Sequence, residues 1–217
     1  MESTACSFDE LLCQSLLLFR QYHFYNGCLE CEVEASRALE AAHHLMVEAQ
    51  NGIYMAKWGC ALECLAQKYY INDNTDKMLS GIDVVLMDFW KKREKLCVEA
   101  FSAYLWLGYY FLLRFRNGQS SYHNRSKRAM SEILSFLIDI FHKFKKQSVS
   151  AEVLALFSPD VWGETVCWVE QVYDSHLCEK QSASLLHQLY DLRKTEVSHT
   201  MPVHDILLQQ ILEFYCF

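Results

Sequence analysis

Apolar residues recur three and four positions apart along almost the whole of this 217-residue chain, with only 7 Gly and 2 Pro to interrupt them. A period near 3.6 residues puts such positions on one stripe of an α-helix, whereas a half-buried strand alternates at every second residue. Folds built from many short strands also need frequent Gly and Pro punctuation, which is missing here. The chain is therefore expected to be all-α: eight or nine antiparallel helices, arranged as a helical-repeat-like array or an irregular bundle. With 52% hydrophobic residues and Tyr 12, Phe 13 and Trp 5, it is too apolar and aromatic to be disordered. A chain of this length buries about 70% of the surface its unfolded form exposes, so a single helical domain over 1–217 should stand without metal or disulfide staples.

The first stripe is Phe8, Leu11, Leu12, Leu16 and Phe19, on a helix running to about Tyr25 before the Asn26-Gly27 turn. The second helix covers Glu30–Ala49, and Asn51-Gly52 is expected to stop it as a left-handed C-cap. A third runs over Tyr54–Tyr70 and ends at Asn72-Asp73-Asn74-Thr75-Asp76, a polar cluster suited to a turn and a new N-cap. The fourth carries Met78, Ile82, Val85, Leu86 and Phe89 as its stripe and continues toward Leu96. The fifth, about Val98–Phe115, is apolar all round and reads as a central helix.

Asn117 to Asn124 is the clearest loop, and the 117–125 segment is the best candidate for a sub-boundary. Beyond it come a stripe of Ile133, Leu137, Ile140, Phe141 and Phe144 and a short segment, Ala151–Phe157. Ser158-Pro159-Asp160 then opens a helix whose stripe is Trp162, Val166, Val169 and Tyr173. Two further helices are expected near Gln181–Arg193 and Pro202–Tyr215.

The longest uncharged apolar run, Ala100 to Leu113, is 14 residues. A spanning helix needs about 20, so this run predicts a buried core helix and no membrane partner. Glu2, Asp9 and Glu10 stand where a secretory signal would need a basic start, so export is not expected. Without export, the 10 cysteines read as reduced, mostly buried thiols of a cytoplasmic or nuclear protein.

Three stretches share a pattern of large, small and aromatic positions. Ser15, Leu18, Phe19 and Tyr22 are followed by Cys31, Ala35, Ala38 and Leu39; Leu62, Leu65, Ala66 and Tyr69 form the second; Tyr104, Leu107, Gly108 and Phe111 form the third. Over residues 12–141 the chain resembles the tetratricopeptide repeat family in these positions. The resemblance implies antiparallel helix pairs stacked into an array, with Gly108 at the small position where helices approach closely. Three features depart from the family. Phe19 replaces a small residue, His43 stands where a closing proline is usual, and the stretches lie 47 and 42 residues apart instead of 34.

Few residues point to catalysis. Phosphate-binding, nucleophile-elbow, zinc-protease and EF-hand signatures are all absent. Cys28-Leu29-Glu30-Cys31 is the one CxxC; structural zinc usually needs a second close pair, and Cys60 with Cys64 would have to pack against it. The simpler reading makes Cys28 and Cys31 small buried residues at helix-packing positions. A thioredoxin-type role needs the motif at a helix start after a strand, and no such strand is read. His204-Asp205 resembles the central pair of the metal-dependent HD phosphohydrolases, but none of the 12 residues after it is Asp, as that family's site requires. No cofactor, no metal and no enzymatic activity are expected.

Charge supplies the functional hint. Residues 1–50 hold eight acids against Arg20 and Arg37, a balance of −6. Residues 114–146 hold Arg114, Arg116, Arg125, Lys127, Arg128, Lys143, Lys145 and Lys146 against Glu132 and Asp139, a balance of +6. The expected function is a non-enzymatic protein–protein interaction module or complex subunit. It would present a helical groove to an acidic peptide or amphipathic helix, with those eight cations as the partner-binding residues. The alternative is a nucleic-acid-associated factor using the same basic segment, although an acidic chain of pI ≈ 5.7 makes a poor generic DNA binder. A metal-dependent helical hydrolase ranks third.

Overall fold

Helix α1 (Phe8–Phe24) begins at a reciprocal cap that follows from Ser7 standing three residues before Glu10. The Ser7 backbone N–H donates to Glu10 Oε2 at 2.7 Å, and the Glu10 N–H donates to Ser7 Oγ at 3.3 Å. From there Phe8, Leu12, Ser15, Leu16 and Phe19 turn inward, one face of a 3.6-residue period. Helix α2 (Leu29–Ala49) meets that face with Ala35, Ala38, Ala42 and Met46. Three alanines in four inward positions let the two backbones approach closely.

The computed structural model describes residues 6–24, 27–71, 74–92, 98–117, 120–146, 159–193 and 207–211. Among these every regular element is helical and no strand occurs, so the fold is all-α. The remaining helices are α3 (Gly52–Gln67), α4 (Thr75–Lys91), α5 (Val98–Asn117), α6 (Ser120–Lys146), α7 (Pro159–Asp174) and α8 (Glu179–Arg193), with a short helical turn at 207–211. Among the described residues no helix is long and apolar enough to cross a membrane.

The chain divides into two compact units, Met1–Leu86 with Asp205–Phe217, and Met87–His204. The division falls within α4 and not in the 117–125 segment. Helix α6 already begins at Ser120, so the expected loop to Asn124 is helical over its second half, and α5 and α6 pack on each other inside one unit. The serines at 120 and 121, read from sequence as loop formers, instead open a helix.

In the first unit α3 packs on both α1 and α2 and is buried at every position from Ala56 to Leu65. It starts two residues earlier than periodicity implies, because Asn51 is its N-cap, with Oδ1 accepting from the Ile53 N–H at 2.8 Å. The left-handed residue that ends α2 is Gln50, at φ 47°, not Gly52. Its N–H returns to Met46 O at 3.1 Å. Phe8 stacks on Tyr54 with ring centroids 4.2 Å apart, and Lys57 Nζ reaches Asp9 Oδ2 at 2.7 Å.

The second unit is built around α5, buried without interruption from Tyr104 to Leu113. Tyr104, Trp106, Tyr109, Tyr110 and Phe111 all lie in the core, as an all-apolar helix requires. Helix α7 crosses α5 at Gly108: a Cβ there would stand 2.6 Å from the Trp168 ring. Tyr109 donates its buried hydroxyl to the Glu164 carbonyl at 3.1 Å. Helix α8 packs on α6 and α7, and its Gln181 bonds Ser131 and Ser135 of α6.

Two expected stripes are rotated. On α7 the fully buried apolar residues are Trp168, Val169 and Val172, while Tyr173 is exposed. On α4 the buried line is Asp76, Leu79, Asp83, Leu86 and Trp90, and Met78, Val85 and Phe89 face outward. Tyr69, assigned to an aromatic repeat position, lies past the end of α3 at φ 60° and is 85% exposed. The segments Ala151–Phe157 and Ser158, and most of the expected Pro202–Tyr215 helix, fall outside the described residues.

Candidate partner-binding surfaces

The basic segment comes apart when each cation is located. Arg114 is 0% exposed, belongs to the second unit, and is not without a partner. Arg116 is half-buried and ties the end of α5 to the end of α7. Its Nε and Nη2 donate to Ser175 Oγ at 3.0 and 2.8 Å, and Nη2 also donates to Gln171 O at 3.2 Å. Burying a guanidinium is tolerated only with such partners, so Arg114 and Arg116 hold the fold together and are not free to bind a second molecule. Arg114 is thus off the surface it was expected to belong to, whereas Arg116 keeps part of its surface.

Arg125, Lys127 and Arg128 are exposed on α6. Arg128 Nε sits 3.0 Å from Glu132 Oε1, one helical turn on, which offsets its charge. Glu132 also accepts from Trp90 Nε1 at 3.1 Å. At about 100° per residue, Arg125 and Arg128 share a flank of α6 while Lys127 lies roughly a quarter-turn or more away. Lys143, Lys145 and Lys146 belong to the last turns of α6, and their side chains lie outside the described residues. The five cations whose side chains are described are therefore not gathered onto one face.

Helix α4 carries the surface that charge counting missed. Met78 (42% exposed), Val85 (46%) and Phe89 (39%) line up with half-buried Ile82 at i, i+4, i+7 and i+11. The buried line of the same helix is centred about 110° away around its axis. Asp76 and Asp83 on that buried line are both engaged by partners, as buried carboxylates must be. Their spacing with Leu79, Leu86 and Trp90 (alternating steps of three, four, three and four) was the available sequence signal.

At the start of α2 stands the CxxC. Cys28 is the N-cap residue, at φ −62° and ψ 99°, and Cys31 is in the first turn; both are partly exposed. They are not the buried packing residues expected from sequence. No side-chain cap hydrogen bond closes at Cys28. The Cys31 backbone N–H, the Cys31 thiol and the Glu30 N–H nonetheless face its sulfur and draw the Cys28 thiol below its ordinary range, against the opposing charge of Glu30. Cys31 is shifted upward, first by its interaction with Cys28 and then by desolvation and nearby negative charge.

Cys60 and Cys64, by contrast, are fully buried in α3, where desolvation pushes both thiols well up. Of the eight described cysteines only these two are buried, so the thiols are less buried than expected. The two pairs do not converge: among the described residues no group of three or more His, Cys, Asp or Glu could hold a metal. His204-Asp205 lies outside the described residues. No family model matches this chain, and no curated protein and no solved structure matches it either.

Proposed function

We propose that this chain is a non-enzymatic interaction module, a tetratricopeptide-like or related array of helix pairs that holds an amphipathic helix or acidic peptide of a partner protein. The observation that carries the reading is the second apolar stripe of α4. An isolated exposed apolar side chain is ordinary on any surface. Three exposed and one half-buried along one helical line, beside a separate buried line, are the pattern of a helix with two apolar faces, one of them spare for a partner.

The pairing of α1 with α2 and of α5 with α6, and the close crossing at Gly108, support a repeat-like arrangement. Exposed Arg125 and Lys127 support an acidic partner, contributing selectivity and encounter rate more than affinity. The nucleic-acid alternative has less support because Arg114 is buried and Arg116 is engaged with Ser175 and Gln171.

The test is capture of partners by the wild-type chain, by Val85→Asp with Phe89→Asp, and by Arg125→Glu with Lys127→Glu. Each captured candidate is then titrated as a purified segment. The α4 variant should keep its helical circular dichroism and lose binding by tenfold or more, on the order of the loss of one or two interface anchors. The α6 variant should mainly slow association. Saturable binding that is indifferent to α4 would overturn the reading.

A further inference from the structure

The two thiols at the start of α2 have an arrangement that packing does not explain. Cys28 and Cys31 are one turn apart, both reachable from solvent, with the first at the N-cap and the second inside the helix. Neighbours at this spacing have Cβ atoms about 5–6 Å apart, and a disulfide needs about 3.5–4.5 Å. Closing that difference falls to the N-cap residue, which is already outside helical geometry. Leu29, next to Cys28 in the chain, is 69% exposed, so the start of the helix is open to solvent.

We propose that Cys28 and Cys31 form a dithiol site that exchanges with the disulfide of another molecule, Cys28 attacking and Cys31 resolving. The first-turn N–H groups stabilise negative charge on Cys28, and the upward shift keeps Cys31 protonated until it is needed. In the first step the Cys28 thiolate attacks one sulfur of an external disulfide R–S–S–R′. The Cys28–S–S–R bond forms, the R–S–S–R′ bond breaks, and R′–S⁻ leaves. In the second step Cys31 gives up its proton to the released thiolate and attacks Cys28 Sγ, expelling R–S⁻, which takes a proton from solvent. The dithiol is oxidised by two electrons to the Cys28–Cys31 disulfide, and the external disulfide is reduced to two thiols. This chemistry is independent of the α4 surface and of the partner reading above.

The exchange is read by mass spectrometry after acid quench. The reduced full-length protein is incubated in one arm with oxidised glutathione and in the other with a synthetic disulfide-linked peptide carrying apolar flanks. Wild type should lose two hydrogens, mapped to the peptide containing Cys28 and Cys31, with little lasting adduct. Cys31→Ser should accumulate a mixed disulfide at Cys28, and Cys28→Ser should form none at Cys31 on that timescale. Cys28 should also be modified roughly threefold or more faster than Cys6, an exposed thiol lacking a second cysteine one turn away. A faster peptide arm identifies a polypeptide disulfide as the partner, and equal or faster reaction with glutathione identifies a small one. A persistent adduct on wild-type Cys28, a disulfide mapped to other cysteines, or a Cys28 no faster than Cys6 would overturn the proposal. Circular dichroism of both serine variants separates loss of chemistry from loss of fold.

Discussion

Replacing Gly108 by alanine should destabilise the protein, although alanine is the better helix former. In an exposed helix interior the same exchange stabilises by about 1 kcal/mol. At Gly108 the added Cβ would lie 2.6, 2.7 and 2.8 Å from three atoms of the Trp168 ring, all far inside contact distance. Trp168 is itself 0% exposed, so its ring has no free space to retreat into. Overpacking of this kind costs about 1–3 kcal/mol, and overlap with three ring atoms puts it at the upper end. After the propensity gain a net loss of about 2 kcal/mol remains, or roughly 8 °C in Tm for a unit of this size.

Gly81 on α4 is the internal control, because a Cβ there meets nothing within 4 Å. Thermal melts followed by circular dichroism and tryptophan fluorescence should show Gly81→Ala rising slightly and Gly108→Ala falling. Two compact units can melt separately, so fluorescence is needed to follow the unit that holds Trp168. Adding Trp168→Phe should recover part of the Gly108→Ala loss, a non-additivity expected only of residues in contact. If Gly108→Ala is as stable as Gly81→Ala, the close crossing of α5 and α7 is refuted, and with it the packing of the second unit.

Two further outcomes follow from the buried polar groups. Arg116→Met should cost about 1.5–3 kcal/mol in urea denaturation, since it removes charged hydrogen bonds to Ser175 and Gln171; Arg128→Ala, which breaks only an exposed pair, should cost under about 1 kcal/mol. Equal effects would contradict the division of the basic segment into interior and surface. The raised thiols of Cys60 and Cys64 favour the protonated form in the folded state only. Their contribution is therefore intact below the ordinary thiol value near 9 and declines as pH rises beyond it, by up to about 1.4 kcal/mol per pH unit for each thiol. Stability measured from pH 8 to pH 11 should fall less steeply in the Cys60→Ala, Cys64→Ala double variant than in wild type, and parallel slopes would refute the assignment.

Helix existence was legible in the sequence because periodicity acts locally, and α1, α2 and α5 start and stop within about two residues of where the residues alone put them. Which face a helix buries was less legible. On α4 two aspartates found partners inside, and Met78, Val85 and Phe89 were left at the surface. Pattern reading assumes that charge faces water, and it fails where a tertiary partner satisfies the charge. The same cause bears on Arg116: the groups it bonds at the end of α7 are more than 50 residues away and invisible to local spacing. Gly108 succeeded because a small residue in an otherwise bulky helix has few meanings other than close approach. Cys28 and Cys31 were read as packing residues because spacing reveals the pair, but not whether the turn holding it is covered.

Whether the chain works by gripping another macromolecule is tested most directly at α4. The measurement is the affinity of a purified captured partner segment for wild type and for Val85→Asp with Phe89→Asp, at equal helical content. An interaction module predicts saturable wild-type binding that the variant loses by tenfold or more. Equal affinities, or a wild-type protein that binds no partner saturably and instead turns over a small molecule, would contradict it.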